Sequence, residues 1–81
     1  MGVKELNEML MNAGISGYAK EWNGRRIYIT LDACDKSFAG NRNYQFYYDL
    51  TTKKLVSQSG KGIASSSFLA EVERVEKLFN H

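Results

Sequence analysis

Hydrophobic positions along the chain change period twice, from helical to alternating and back to helical. Val3, Leu6, Met9, Leu10 and Ala13 recur at helical spacing, which predicts an amphipathic helix over Val3–Ala13 with Gly14 as its stop. Lys4, Glu5, Asn7, Glu8 and Asn12 fall on its other, solvated face. Met9 reads as core, with an adaptable binding stripe as the other reading for Met9 and Met11. Alternation then begins. Ile27, Ile29 and Leu31 are interleaved with Arg26, Tyr28 and Thr30, so a strand over Arg25–Asp32 has one apolar and one wet face. It follows a shorter strand, Ser16–Trp22, across Asn23-Gly24, the pair that favours a type I′ hairpin turn because both central residues need positive φ. A two-residue turn there sets Trp22 opposite Arg25, Lys20 opposite Ile27 and Tyr18 opposite Ile29.

The pattern breaks over Ala33–Asn43, where Asp35, Ser37, Gly40, Asn41 and Asn43 predict a loop of roughly ten residues. Tyr44–Leu50 is a third strand and the most aromatic stretch. Tyr44, Phe46, Tyr48 and Leu50 share one face; Gln45, Tyr47 and Asp49 share the other. Thr51-Thr52-Lys53-Lys54 turns into a fourth, edge strand, Leu55–Gln58, whose short length, with the lysines that lead into it, discourages edge-to-edge association. Ser59-Gly60-Lys61-Gly62 connects to Ser65-Ser66-Ser67, a choice of N-caps for a helix over Phe68–Phe79. Its buried stripe is Phe68, Leu69, Val72, Val75 and Phe79, with Leu78 on the margin and Glu71 near enough to the start to suit the helix dipole. The fold class is therefore α+β: an antiparallel meander sheet of three to four strands, packed on one face by an N-terminal and a C-terminal helix.

Composition narrows the setting. The chain has 81 residues, enough for one small domain and no second. It contains no proline, which suits regular elements joined by tight turns. No apolar run reaches the roughly 18 residues a bilayer span needs, and Met1-Gly2-Val3-Lys4-Glu5 lacks the build of a signal peptide. Cys34 is the only cysteine, so no internal disulfide forms and a reducing cytoplasm is the expected home. Its neighbours Asp32 and Asp35 disfavour a thiolate. Charge is uneven. Lys20 to Gly62 carries eight basic residues against four acidic, a balance of +4, while the two ends together stand at −2. The middle of the chain thus suits a polyanion or an acidic protein patch.

Catalytic chemistry finds little footing. His81 stands alone at the end, and metal sites need several converging ligands. Ser65–Ser67 has no histidine to act as base. Gly60-Lys61-Gly62 lacks the spacing of a phosphate-binding loop and reads as a hinge. The chain is read as a non-enzymatic binding protein without cofactor or metal. Its candidate contact surfaces are the wet sheet face and the long loop. The face carries Arg26, Tyr28 and Tyr47, along with Thr30, Gln45 and Asp49; the loop carries Lys36, Phe38 and Arg42. Tyrosine and arginine recur at interface hot spots and also serve nucleic acid. The plain alternatives are a solvated tyrosine-rich face and a Phe38 that pins its loop to the sheet edge.

Two resemblances sharpen this. The helix–strands–helix layout, with Gly60-Lys61-Gly62 and Ser65 before the last helix, resembles a double-stranded-RNA-binding domain. That family then presents lysines at the helix start, where this chain has Ser66, Ser67, Phe68 and Leu69, followed by Glu71 and Glu73. No binding residues carry over. The Ile27-Tyr28-Ile29 strand and the Tyr47-Tyr48-Asp49-Leu50 to Lys54-Leu55-Val56 hairpin are similar to those of small proteins carried by phages and mobile elements, anti-CRISPR proteins among them. That resemblance implies an inhibitor that occupies a surface of a protein partner, a Cas effector subunit. The basic residues Arg25, Arg26, Lys53, Lys54 and Lys61 give a nucleic-acid-binding module as the second choice, and a homodimer pairing edge strands or sheet faces is a further option.

Overall fold

The structure is a computed structural model describing residues 2–33, 37–58 and 62–79. Cys34 to Lys36, Gly60-Lys61 and His81, and with them the readings placed on Cys34, Lys36, the glycine-lysine connection and the terminal histidine, lie outside the described residues. Elements run α1 (Val3–Asn12), β1 (Gly17–Asn23), β2 (Arg26–Leu31), α2 (Ala39–Arg42), β3 (Gln45–Asp49), β4 (Lys54–Gln58) and α3 (Ser66–Phe79). The four strands form one antiparallel sheet in the order β1-β2-β3-β4. This is the expected α+β meander between two helices. No helix among the described residues is long and apolar enough to cross a membrane.

Each helix end has a local cause. α1 closes in a Schellman motif: Gly14 N–H donates to Met11 O at 3.0 Å and Ile15 N–H to Leu10 O at 3.0 Å. Gly14 holds φ +71, which glycine adopts without a Cβ penalty. Leu10 and Ile15, the apolar pair that accompanies such a motif, are both buried. α3 begins at Ser66, two residues earlier than the stripe predicts, because Ser65 is the N-cap: its Oγ accepts from Phe68 N–H at 3.3 Å. Glu71 consequently lies beyond the first turn and does not serve the helix dipole there.

The core joins Leu6 and Leu10 of α1, Ala19, Ile27, Ile29, Leu31, Phe46, Tyr48 and Leu55 of the sheet, and Phe68, Val72 and Val75 of α3. Both helices therefore bury their stripes on the same sheet face. Three helix positions, two of them on the stripes, depart from expectation. Met9 is half-buried, and Leu69 is 44% exposed. Asn7, expected in solvent, turns its amide onto β1: Ala19 N–H donates to Asn7 Oδ1 at 2.8 Å, and Asn7 Nδ2 donates to Ala19 O at 3.2 Å.

The hairpin register is the main correction. Ala19 stands opposite Ile29, Lys20 opposite Tyr28 and Tyr18 opposite Thr30, one residue from the expected pairing, with an irregularity between Glu21 and Asn23. The turn is not type I′, since neither Asn23 nor Gly24 has positive φ. Asn23 Oδ1 instead accepts from Arg25 N–H at 2.8 Å and Arg26 N–H at 3.1 Å. This Asx turn makes Gly24-Arg25 the connection. A slip of one residue exchanges the faces of a strand, so Tyr18, Lys20 and Trp22 point away from the helices.

Candidate functional site: the outer sheet face

On the helix-free face, β1, β2 and β3 bring together a contiguous aromatic set. Trp22 meets Tyr28 edge-on with ring centroids 5.3 Å apart, and Tyr28 meets Tyr47 at 5.5 Å. The guanidinium carbon of Arg26 sits 4.5 Å above the Tyr47 ring, within cation–π range. Cross-strand pairing explains the cluster: Lys20, Tyr28, Tyr47 and Val56 form one transverse row through all four strands. Tyr47 is only 8% exposed yet lies outside the helix-side core; Arg26 and Tyr28 contribute to covering it. Trp22, by contrast, is 66% exposed, and Tyr18 is 50% exposed.

The basic residues collect at one end of this face. Arg25 and Lys53 belong to neighbouring turns, tied by Leu50 N–H donating to Arg25 O at 2.8 Å. Arg26 pairs with Asp49, and Asp49 with Lys54, in the adjacent row. The only ion pairs among the described residues lie within α3, Arg74 with Glu71 and Lys77 with Glu73. Lys20, Arg25, Arg26, Lys53 and Lys54 therefore have no carboxylate salt-bridge partner there. Asp49 is occupied as a turn acceptor, taking Thr51 N–H at 2.8 Å and Thr52 N–H at 3.3 Å on Oδ1.

Of the sequence-predicted contact residues, Arg26, Tyr28 and Tyr47 converge here. Phe38, 38% exposed at the start of α2, makes none of the ring contacts of this cluster. Arg42 lines a cavity with the core residues Ile29, Leu31, Phe46 and Phe68 and so stands apart from it. The described end of the expected loop is folded from Phe38 to Asn43: Asn41, 3% exposed, holds Ser65 through two bonds of 3.0 Å, and Gly40 N–H donates to Ile63 O at 3.1 Å. Sequence reading missed Trp22 as a site residue. It shares strand parity with Tyr18 and Lys20, so a register with Ala19 inward exposes all three together.

Among the described residues no cluster of three or more His, Cys, Asp or Glu side chains is placed to hold a metal. Compared with protein-family models, curated proteins and solved structures, the chain matches none of them.

Proposed function

We infer that this is a non-enzymatic binding protein that docks an acidic surface of a protein partner with its outer sheet face. The observation that carries this reading is the exposed Trp22 at the end of a packed Tyr28–Tyr47–Arg26 cluster, beside basic turns that have no ion-pair partner among the described residues. A large aromatic anchor on a rigid base is what interface hot spots use. The charged rim would steer association with an acidic patch. The resemblance to anti-CRISPR proteins makes a Cas effector subunit the partner to test first, and inhibition by surface occupation the mode of action.

Nucleic acid is the second reading, favoured by the grouping of Arg25, Arg26, Lys53 and Lys54. Base stacking needs open ring faces. Here Tyr47 is 8% exposed with Arg26 over one of its faces, and Trp22 is the one mostly exposed ring of the cluster, so the face offers no run of open rings for successive bases. The protein reading is therefore preferred. The test is capture by the tagged chain from lysate of a CRISPR-bearing bacterium, with and without nuclease, using wild type and Trp22→Ala. A stoichiometric Cas subunit that survives nuclease and is lost with Trp22→Ala supports the proposal. Loss of every partner on nuclease treatment replaces it with the nucleic-acid reading.

A further inference from the structure

β2 and β3 are paired only from Arg26–Asp49 to Tyr28–Tyr47. Beyond Tyr28 the two strands part, because the chain between them detours through α2 before β3 begins. The Asn41–Ser65 and Gly40–Ile63 bonds hold α2 against the segment leading into α3. In the resulting fork lies a cavity of about 180 Å³, lined by Ile29, Leu31, Tyr44, Phe46 and Phe68, with Thr30, Asn41 and Arg42 as its polar groups. Arg42, on α2, is exposed, and the cavity beside it is open to solvent. The Asn41 amide is committed to Ser65, which leaves Arg42 as the charged residue of the lining to meet a ligand. Arg42 has no ion pair among the described residues.

We propose that this fork is a second binding site, separate from the outer face, for a small amphipathic carboxylate: one ring or branched apolar body with its anionic group on Arg42. Size sets the class. An apolar protein cavity of about 150 Å³ accepts benzene, so about 180 Å³ takes one ring and a compact polar substituent. Charge sets the polarity. An arginine fork matches a carboxylate in two parallel hydrogen bonds, and Ile29, Leu31, Phe46 and Phe68 supply the apolar part of the lining. The same chemistry comes from a free aromatic acid or from the C-terminal aromatic residue of a peptide.

The test is an amide-resolved NMR titration of the full chain with benzoate, its neutral isostere benzamide, and a short peptide ending in phenylalanine. Benzoate should saturate with a dissociation constant on the order of 1–10 mM, as its size allows, with shifts centred on Ile29, Leu31, Arg42 and Phe68. It should bind about tenfold more tightly than benzamide, the margin a charged hydrogen bond provides. Arg42→Gln should remove that margin while leaving benzamide binding unchanged, and Arg42→Lys should restore part of it. Tighter binding of the free-carboxylate peptide than of benzoate would assign the site to a peptide terminus; the reverse would assign it to a free acid. Equal binding of benzoate and benzamide, shifts centred on Arg25, Lys53 and Lys54, or no saturable shift would overturn the proposal. None of these outcomes depends on the outer face having a protein partner.

Discussion

Asn7 acts as a strand partner for Ala19. Its side-chain amide accepts from the Ala19 N–H and donates to the Ala19 carbonyl, the two bonds a neighbouring strand would supply. β1 is an edge strand, and an edge with free backbone groups invites association. Asn7→Ala should lower stability by about 1–3 kcal/mol, since it orphans two partly buried groups. It should also raise the apparent mass in concentration-dependent light scattering. Urea unfolding checks the first effect. An unchanged midpoint would show that water replaces the amide without loss.

Asn41 and Ser65 form the corresponding link at the other end of the molecule. Ser65→Ala removes the N-cap of α3 and one Asn41 bond, and should cost about 1–2 kcal/mol. Asn41→Ala should cost about 2 kcal/mol by leaving the Ser65 N–H without its acceptor. Because both substitutions break the same pair, the double variant should lose clearly less than their sum, with a coupling of about 0.5–3 kcal/mol. Additive losses would mean the two residues act separately.

Gly40 is required for close approach. A Cβ there would stand 2.6 Å from Ala64 N and from the Ile63 carbonyl carbon, both backbone atoms with little room to yield. Gly40→Ala should destabilise by about 1–3 kcal/mol. It should also perturb the amide resonances of Ile63, Ala64 and Ser65 more than those of β1. A neutral substitution would show that α2 can shift away from this segment.

If the outer face is the docking surface proposed above, Trp22 and Tyr47 would separate binding from folding. Trp22 is mostly exposed, so Trp22→Ala should change stability by no more than about 1 kcal/mol while abolishing partner capture. Tyr47 is buried beneath Arg26 and beside Tyr28, so Tyr47→Ala should cost about 3 kcal/mol and is a poor probe of binding alone. Trp22 is the only tryptophan. Its emission should therefore report occupancy of the outer face, and a partner that binds without altering it would locate the interface elsewhere.

Much of the fold is legible in the chain because its longest elements carry strong periodicity. Ile27, Ile29 and Leu31 in β2, and Phe46 with Tyr48 in β3, declare their buried face by alternation alone. Leu6 and Leu10, and Phe68, Val72 and Val75, declare theirs by helical spacing. Those positions determine a meander sheet covered by two helices and place Arg26, Tyr28 and Tyr47 together on the far side. β1 carries no such pattern: in Tyr18, Ala19, Lys20, Glu21 and Trp22, large rings share parity with a lysine and the inward residue is a single alanine. Its register was decided by a tertiary contact, the Asn7 bonds to Ala19, together with the local Asx turn in which Asn23 captures two backbone N–H groups in place of a positive-φ turn. The same long-range bonding folded the polar stretch before β3, where Asn41 finds its partner 24 residues away. Side-chain-to-backbone bonds of this kind leave no periodic trace, so the exposed Trp22 and the cavity beside Arg42 became visible only once the chain was folded.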